Sequence, residues 1–431
     1  MDIREKALAA RTASRKLAAM PIEARNRALQ AVAEALEAEQ AAIETDNLTD
    51  LHAAKAASLA PPLLKRLAFD GAKIAECVDG IASLVALPDP IGTVQRRTEL
   101  APSLDLTRVS CPLGVVGIIF ESRPDALVQI SALCLKSGNG CLLKGGSEAL
   151  HTNRRLHAVI RDASVAAGAP EGWIQLLETR EDVGDLLSMD DCIDLLIPRG
   201  SNEFVRYIMD HTRIPVMGHA DGICHVYVDR TADPAMAVDI VVDSKCQYAA
   251  VCNAVETLLV HVDAAPAFLP KIRDALLARG VALRGCERTR AVIDCVSASE
   301  ADWDAEYLDA VLAIQVVDGL DAAVDHINRH GSGHTDAIVT SDAAVAEIFL
   351  DQVDSADVFW NCSTRFADGF RYGLGAEVGI STSKLHARGP VGLEGLMSYK
   401  WKLRGAGQTV APFAAGDMKF THRDLNEGGQ Q

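Results

Sequence analysis

Residues 109–124 read VSCPLGVVGIIFESRP, and the continuous apolar run 115–120 within this stretch predicts a buried β-strand. The residues that follow favour a helix over 125–136, which ends at the turn-forming residues 137–140. The next short apolar run, 141–143, predicts a second strand. A strand, a helix and a strand with short connections predict a parallel βαβ unit.

The same alternation continues along the chain. The further predicted elements are a helix over 147–167, strands over 174–177 and 193–197, and a helix over 203–210. Together these elements predict a doubly wound α/β sheet, which binds ligands beyond the carboxyl ends of its strands.

The remaining chain predicts helices over residues 1–90 and a second α/β domain from about Arg230. The predicted elements of that domain are a helix over 233–243 and strands over 257–261, 311–317 and 336–340. Residues 97–109 and the polar tail after about 400 resemble neither a core strand nor a core helix, so we expect them to form an arm.

Composition restricts the class of protein. The 431 residues carry a net charge of -17, which argues against a nucleic-acid partner held by phosphate neutralisation. No apolar run approaches the roughly 18 residues that cross a bilayer, and the N-terminus lacks the apolar core of a signal peptide. The 11 cysteines show no zinc-binding spacing and indicate free thiols in a reducing cytoplasm, so we predict no metal.

Cys252 lies between the end of the predicted helix and the apolar run 257–260, where a side chain can face a cleft. A thiolate there can attack an acyl group and form a thioester. The alternative is that Cys252 is an inert packing residue, as most cysteines are.

Two strand ends carry features of a dinucleotide site. Lys144 follows a strand, where a basic residue accommodates the 2′-phosphate of NADP; a solvated loop lysine is the alternative. Gly200 and Ser201 precede a helix whose first N–H groups can bind an anion, although a plain turn with a serine cap fits equally.

Two polar clusters are candidates for substrate binding. Ser122 and Arg123 follow the first strand, and Arg123 can pair with a carboxylate or phosphate; a helix-entry loop fixed by Pro124 fits equally well. Arg365 and Asp368 can hold the carboxylate and ammonium of an amino acid, or can form a surface ion pair of little consequence.

The stretch 109–124 resembles the corresponding segment of the γ-glutamyl phosphate reductase family, in the aldehyde dehydrogenase superfamily. The segments LKGGSEA, IPRGSNEF, VCNAVETLLVH, GSGHTDAIVT and GLGAEVGISTSKLHARGPVGLEGL are similar to other motifs of that family. The resemblance runs from about residue 5 to 418. It implies an aldehyde dehydrogenase-like α/β fold. Its expected parts are an NADPH-binding domain (1–96 and 110–229), a catalytic domain (230–385) and an oligomerisation arm (97–109 and 386–431).

The resemblance also implies the reaction, in which NADPH reduces L-glutamyl 5-phosphate to glutamate 5-semialdehyde and phosphate in proline synthesis. We expect a homo-oligomer and transient contact with glutamate 5-kinase. The implied roles are a nucleophile for Cys252, oxyanion donors for Asn253 or Ser122, adenosine-ribose contacts for Lys144 and Ser147, pyrophosphate contacts for Gly200 and Ser201, and a nicotinamide-ribose contact for Glu306.

Residues 218–222 read GHADG, where oxidising members of the superfamily carry the glutamate that activates water. The resemblance therefore implies a thioester protected from hydrolysis. Three alternatives remain open: an NAD-dependent hydrolytic aldehyde dehydrogenase, a cysteine hydrolase using Cys252 and His219, and a non-catalytic interaction module.

Overall fold

The computed structural model describes residues 2–178, 181–218 and 221–426, apart from the side chains of Pro62, Glu181 and Asp182. The chain divides into two compact units. The first unit consists of Met1–Gly200, Ile208–Val216 and Gly392–Gln431, and the second of Ser201–Tyr207 and Met217–Val391. In the part of the chain described, no helix is long and apolar enough to cross a membrane.

The helices are numbered in chain order. They are α1 (Ile3–Leu17), α2 (Ile22–Ala38), α3 (Gln40–Ala56), α4 (Pro61–Leu67), α5 (Gly71–Ala86), α6 (Pro124–Ser137), α7 (Leu150–Ala166), α8 (Glu181–Leu187), α9 (Asn202–Asp210), α10 (Pro234–Cys246), α11 (Ala265–Leu277), α12 (Glu287–Arg290), α13 (Leu320–His330), α14 (Ala343–Gln352) and α15 (Ala411–Ala415).

The strands are numbered in the same way. They are β1 (Val94–Ala101), β2 (Leu104–Pro112), β3 (Val115–Phe120), β4 (Gly140–Gly145), β5 (Ile174–Leu177), β6 (Leu195–Arg199), β7 (Cys224–Val228), β8 (Val255–His261), β9 (Ala282–Gly285), β10 (Val296–Ser297), β11 (Val311–Val317), β12 (Thr335–Val339), β13 (Asp357–Trp360), β14 (Gly379–Ser381), β15 (Gly389–Val391), β16 (Met397–Arg404) and β17 (Arg423–Asp424).

The first unit contains a parallel four-stranded sheet in the order β5-β4-β3-β6. Every residue of β3 is buried, as its continuous apolar sequence predicts. Helix α6 begins with Pro124 and is capped at its C-terminus by Gly138, whose φ of 76° suits glycine. Because the strand order reverses between β3 and β6, their carboxyl ends form the position at which such sheets bind ligands.

The second unit is built on a parallel seven-stranded sheet in the order β10-β9-β11-β8-β7-β12-β13. Its apolar core lies against helices α10 and α11. Strand β7 pairs with β8 and β12 in this sheet. The boundary between units therefore precedes β7, at about residue 217, rather than residue 229 as the sequence suggested.

A four-stranded antiparallel sheet, in the order β16-β2-β1-β17, belongs to the first unit. Strands β2 and β16 pair over eight positions, so residues 97–109 and the tail, which resemble no core strand in sequence, contribute regular strands to this sheet. The predicted start of the tail, 386, also differs from the structure. Residues 389–391 form β15, which pairs with β14 in the second unit.

Candidate active site

Cys252 lies in the loop between α10 and β8, at the junction that the sequence predicts, and it is half-buried. Its carbonyl oxygen accepts a hydrogen bond from the buried thiol of Cys224, with an S–O distance of 3.2 Å. The backbone of Gly222 packs against it so closely that a β-carbon there would stand 2.6 Å from Cβ of Cys252. Gly222 was not among the predicted site residues, although it stands in the GHADG segment.

Asn253 is buried beside the candidate nucleophile. Its side-chain Nδ2 donates to the backbone carbonyl of Ala367 at 2.8 Å, and its backbone carbonyl accepts from Thr364 Oγ1 at 2.7 Å. Its Oδ1 is buried without a hydrogen-bond partner. One amide proton is therefore engaged in holding the neighbouring loop, and the second remains for the predicted oxyanion role.

Arg365 lies within electrostatic range of Cys252. Its Nε donates to Gln247 Oε1 at 2.9 Å. Burial lowers the pKa of Arg365, as does the charge of Arg371, whereas a negative charge on Cys252 opposes that change. Because a guanidinium stabilises a nearby anion, Arg365 can pair with an anionic group of a substrate here.

Asp368, the other half of the predicted amino-acid site, is engaged in its own loop. Its Oδ1 accepts the backbone N–H groups of Phe370 and Arg371 at 3.0 and 3.1 Å. Oδ1 of this carboxylate therefore caps a turn, while Oδ2 lies 3.8 Å from Arg371 Nη1 in a side chain that is 40% exposed. Arg371, which sequence analysis missed, donates through Nη1 to the carbonyl of Arg365 at 2.5 Å and fixes the same loop.

Glu306 lies in a polar cluster of the second unit. Asn202 Nδ2 donates to Glu306 Oε2 at 2.7 Å and to Asp221 Oδ1 at 2.9 Å. Asp221 also accepts from Arg206. Asn202 was missed, although it belongs to the IPRGSNEF segment. His219, the other candidate base of the GHADG segment, lies outside the described residues.

In the first unit, Ser122 is buried at the carboxyl end of β3, with a φ of 45° that is unusual for serine. Its backbone N–H and its hydroxyl both donate to Glu148 Oε1, at 2.5 and 2.8 Å. A serine hydroxyl has a single proton, so this geometry does not support the predicted oxyanion role. Glu148 was not among the predicted site residues. A β-carbon at Gly146 would collide with its carboxylate.

Lys144 is buried near the end of β4, and its Nζ donates to the carbonyl of Gly145 at 2.5 Å. Ser147 is exposed and begins a 3₁₀ helix of one turn, Ser147–Ala149. Both residues therefore stand at the carboxyl edge of the sheet, as predicted. Arg123 lies at the same edge, immediately before α6.

Gly200 is exposed and directly follows β6. The hydroxyl of Ser201 accepts the N–H of Phe204 at 3.4 Å, so Ser201 makes the capping contact that the plainer alternative requires. The nine-residue helix α9 begins at the next residue.

Comparison with known proteins identifies relatives over the full chain. The sequence model of the aldehyde dehydrogenase family matches residues 1–283. A γ-glutamyl phosphate reductase from Pelotomaculum thermopropionicum is 60% identical over 427 residues, which cover 99% of this chain and 98% of that protein. The homologous enzyme of Acetivibrio thermocellus is 57% identical over 427 residues, covering 99% of each chain.

The crystal structure of a γ-glutamyl phosphate reductase from Thermotoga maritima superimposes with a TM-score of 0.93. It is 38% identical and covers 95% of this chain and 100% of its own. These matches confirm the predicted aldehyde dehydrogenase-like α/β fold.

Proposed function

Because this chain belongs to the aldehyde dehydrogenase family, and within it to the γ-glutamyl phosphate reductases, we propose that it reduces L-glutamyl 5-phosphate to L-glutamate 5-semialdehyde in proline biosynthesis. The observation that carries the proposal is the half-buried thiol of Cys252, on a loop packed against Gly222 and within range of the Arg365 charge. A thiol in such surroundings is suited to covalent catalysis.

We propose that the Cys252 thiolate attacks the acyl carbon of the substrate. A C–S bond forms while the C–O bond to phosphate breaks, and phosphate leaves with that electron pair and takes up a proton from solvent. The backbone N–H of Cys252 and the second amide proton of Asn253 are the proposed oxyanion donors. When the hydride has been added to the thioester carbon, the C–S bond breaks, the aldehyde forms and Cys252 returns as the thiolate.

Family members use NAD or NADP, and we propose NADPH as the hydride donor. The support is Lys144 near the end of β4, because a basic residue at that position suits a 2′-phosphate. Three residues later the chain has Ser147 rather than an acidic residue. Ser201 and Gly200 are proposed to contact the pyrophosphate and Glu306 a ribose. Arg365 and Arg123 are proposed to bind anionic groups of the substrate.

We further propose that the protein is a cytoplasmic homo-oligomer. Strand β16 is at one end of the antiparallel sheet, and Tyr399, Trp401 and Leu403 on it are 51%, 47% and 56% exposed. Exposed aromatic side chains on an edge strand are typical of an interface. Transient contact with glutamate 5-kinase is part of the same proposal, since an acyl phosphate is labile in water.

The test is the phosphate dependence of the reverse reaction, with glutamate 5-semialdehyde and NADP. With phosphate present, we expect continuous formation of NADPH. Without phosphate, we expect a burst of one NADPH for each site, because the thioester can be released only by phosphate. Sustained NADPH formation and accumulation of glutamate in phosphate-free buffer would instead establish a hydrolytic dehydrogenase.

A further inference from the structure

A fully buried ion pair joins the two elements that flank the Cys252 loop. Lys245, in the last turn of α10, lies 2.5 Å from Glu256 Oε2 on β8, and both side chains are completely buried. Burial raises the pKa of Glu256, and the Lys245 ammonium opposes that change. Buried ion pairs seldom add net stability, because desolvation offsets the attraction, so the pair calls for another explanation.

The second carboxylate oxygen of Glu256 provides an explanation for the buried ion pair. Glu256 Oε1 accepts the backbone N–H of Leu308 at 3.3 Å. Leu308 has a φ of 51°, a left-handed conformation that a branched residue adopts only when its surroundings hold it. The ring of Tyr307 also lies 5.9 Å from Lys245 Nζ. The ion pair therefore holds the residues that directly follow Glu306.

The same segment is fixed on its other side. The hydroxyl of Tyr307 donates to Asp302 Oδ1 at 2.7 Å, and Asp302 forms an ion pair with Arg284 at 2.5 Å. Glu306 thus lies on a segment with two anchors, and its carboxylate meets Asn202 Nδ2. The anchors restrict where the Glu306 carboxylate can stand.

We propose that Lys245 and Glu256 are positioning residues that fix the Glu306 carboxylate relative to the Cys252 loop, so that it can accept hydrogen bonds from the ribose hydroxyls of a nicotinamide dinucleotide. The proposal rests on the function proposed above. In this proposal, the hydrogen bond from the Leu308 N–H to Glu256 Oε1 holds the segment in place, and Lys245 neutralises the buried carboxylate.

Two variants distinguish the hydrogen bond that Glu256 accepts from Leu308 from the charge of Glu256. Glu256→Asp keeps the charge opposite Lys245 but withdraws the carboxylate from Leu308. The double variant K245M/E256Q removes both charges and keeps an oxygen at full reach. We expect E256D to weaken NADPH binding about fivefold to tenfold and to lower kcat, and K245M/E256Q to bind NADPH within about twofold of wild type.

NADPH binding is measured by fluorescence titration, alongside the thermal midpoint of each variant and of Glu306→Gln. The expected result is that E256D and E306Q both weaken NADPH, regardless of how the midpoints are ordered. Weakened NADPH binding by K245M/E256Q would overturn the proposal, as would an E256D protein with wild-type affinity or an E306Q protein with wild-type affinity. The phosphate test on the wild-type enzyme decides the proposed function separately.

Discussion

The backbone of Gly222 and the side chain of Cys252 are in direct contact, and a β-carbon at position 222 would stand 2.6 Å from both Cα and Cβ of the cysteine. Gly222 leads into β7, and Cys252 precedes β8, the neighbouring strand. The position of the thiol is therefore set by the segment entering the adjacent strand, as well as by its own loop.

Gly222→Ala should displace Cys252 and lower kcat about a hundredfold, because a shift of about 1 Å at a reacting atom has that effect. The measurements are kcat and the rate at which iodoacetamide alkylates Cys252. Gly80→Ala is the control, since a β-carbon at Gly80 in α5 meets nothing within 4 Å. Wild-type turnover in G222A would show that the contact does not set the position of the thiol.

Cys252→Ser should abolish turnover and preserve NADPH binding, because a serine alkoxide is barely populated near pH 7. Cys246→Ser is a matched control. Cys246 is half-buried at the end of α10, and burial raises the pKa of its thiol. If C252S kept activity within tenfold of wild type, a barrier change of only about 1.4 kcal/mol, another residue would be the nucleophile.

Lys144→Glu should weaken NADPH far more than NADH. The change places a carboxylate where the 2′-phosphate is proposed to bind and removes a charged contact of about 1.5–3 kcal/mol. Dissociation constants for both nucleotides provide the comparison. An equal loss for NADPH and NADH would mean that Lys144, whose Nζ donates to Gly145, supports the strand end instead.

Ser122→Ala and Glu148→Gln distinguish two roles for the serine hydroxyl. If the hydroxyl serves Glu148, to which it donates at 2.8 Å, each variant should lower the free energy of unfolding by about 1–2 kcal/mol and kcat by less than tenfold. An oxyanion donor would give a different pattern. In that case S122A alone would lower kcat a hundredfold or more, while E148Q would not.

His326 should make stability fall in mild acid. Burial, assisted by His225 and His330, lowers its pKa to about 3. Below about pH 6.5 the unfolded chain binds a proton that the folded state excludes, so stability declines as pH falls. Between pH 7.5 and 5.5, we expect the free energy of unfolding of His326→Gln to fall by about 1.3 kcal/mol less than that of the wild type.

Urea unfolding at a series of pH values measures this difference. The exposed His52 in α3 provides the control substitution, His52→Gln, which should leave the slope unchanged. Parallel curves for wild type and H326Q would contradict a neutral His326 in the folded protein.

The sequence predicts the elements whose pattern is local. Strand β3 is a continuous apolar run, and the observed bounds 115–120 equal the predicted ones. Cys252 is likewise placed correctly between a helix and a strand. No strand was predicted over 224–228, so these residues fell within the first predicted domain, although they form β7, which pairs with β8 in the second unit.

The contacts within the site could not be predicted, because they join residues far apart in the chain. Asp368 looks like a ligand by its residue type, and only the backbone shows that it caps a turn. Glu148 stands 26 residues from Ser122 and Asn202 stands 104 residues from Glu306. The pairing of β2 with β16 could not be predicted, because the two strands come from distant parts of the chain.

The first unit is assembled from segments on either side of the second. Strand β2 is synthesised early, but β16, which pairs with it, comes after every element of the second unit. On the ribosome, β2 therefore has an open edge until the inserted unit has been made, and open edges can pair with other chains. In biosynthesis, the unit that begins first is completed last.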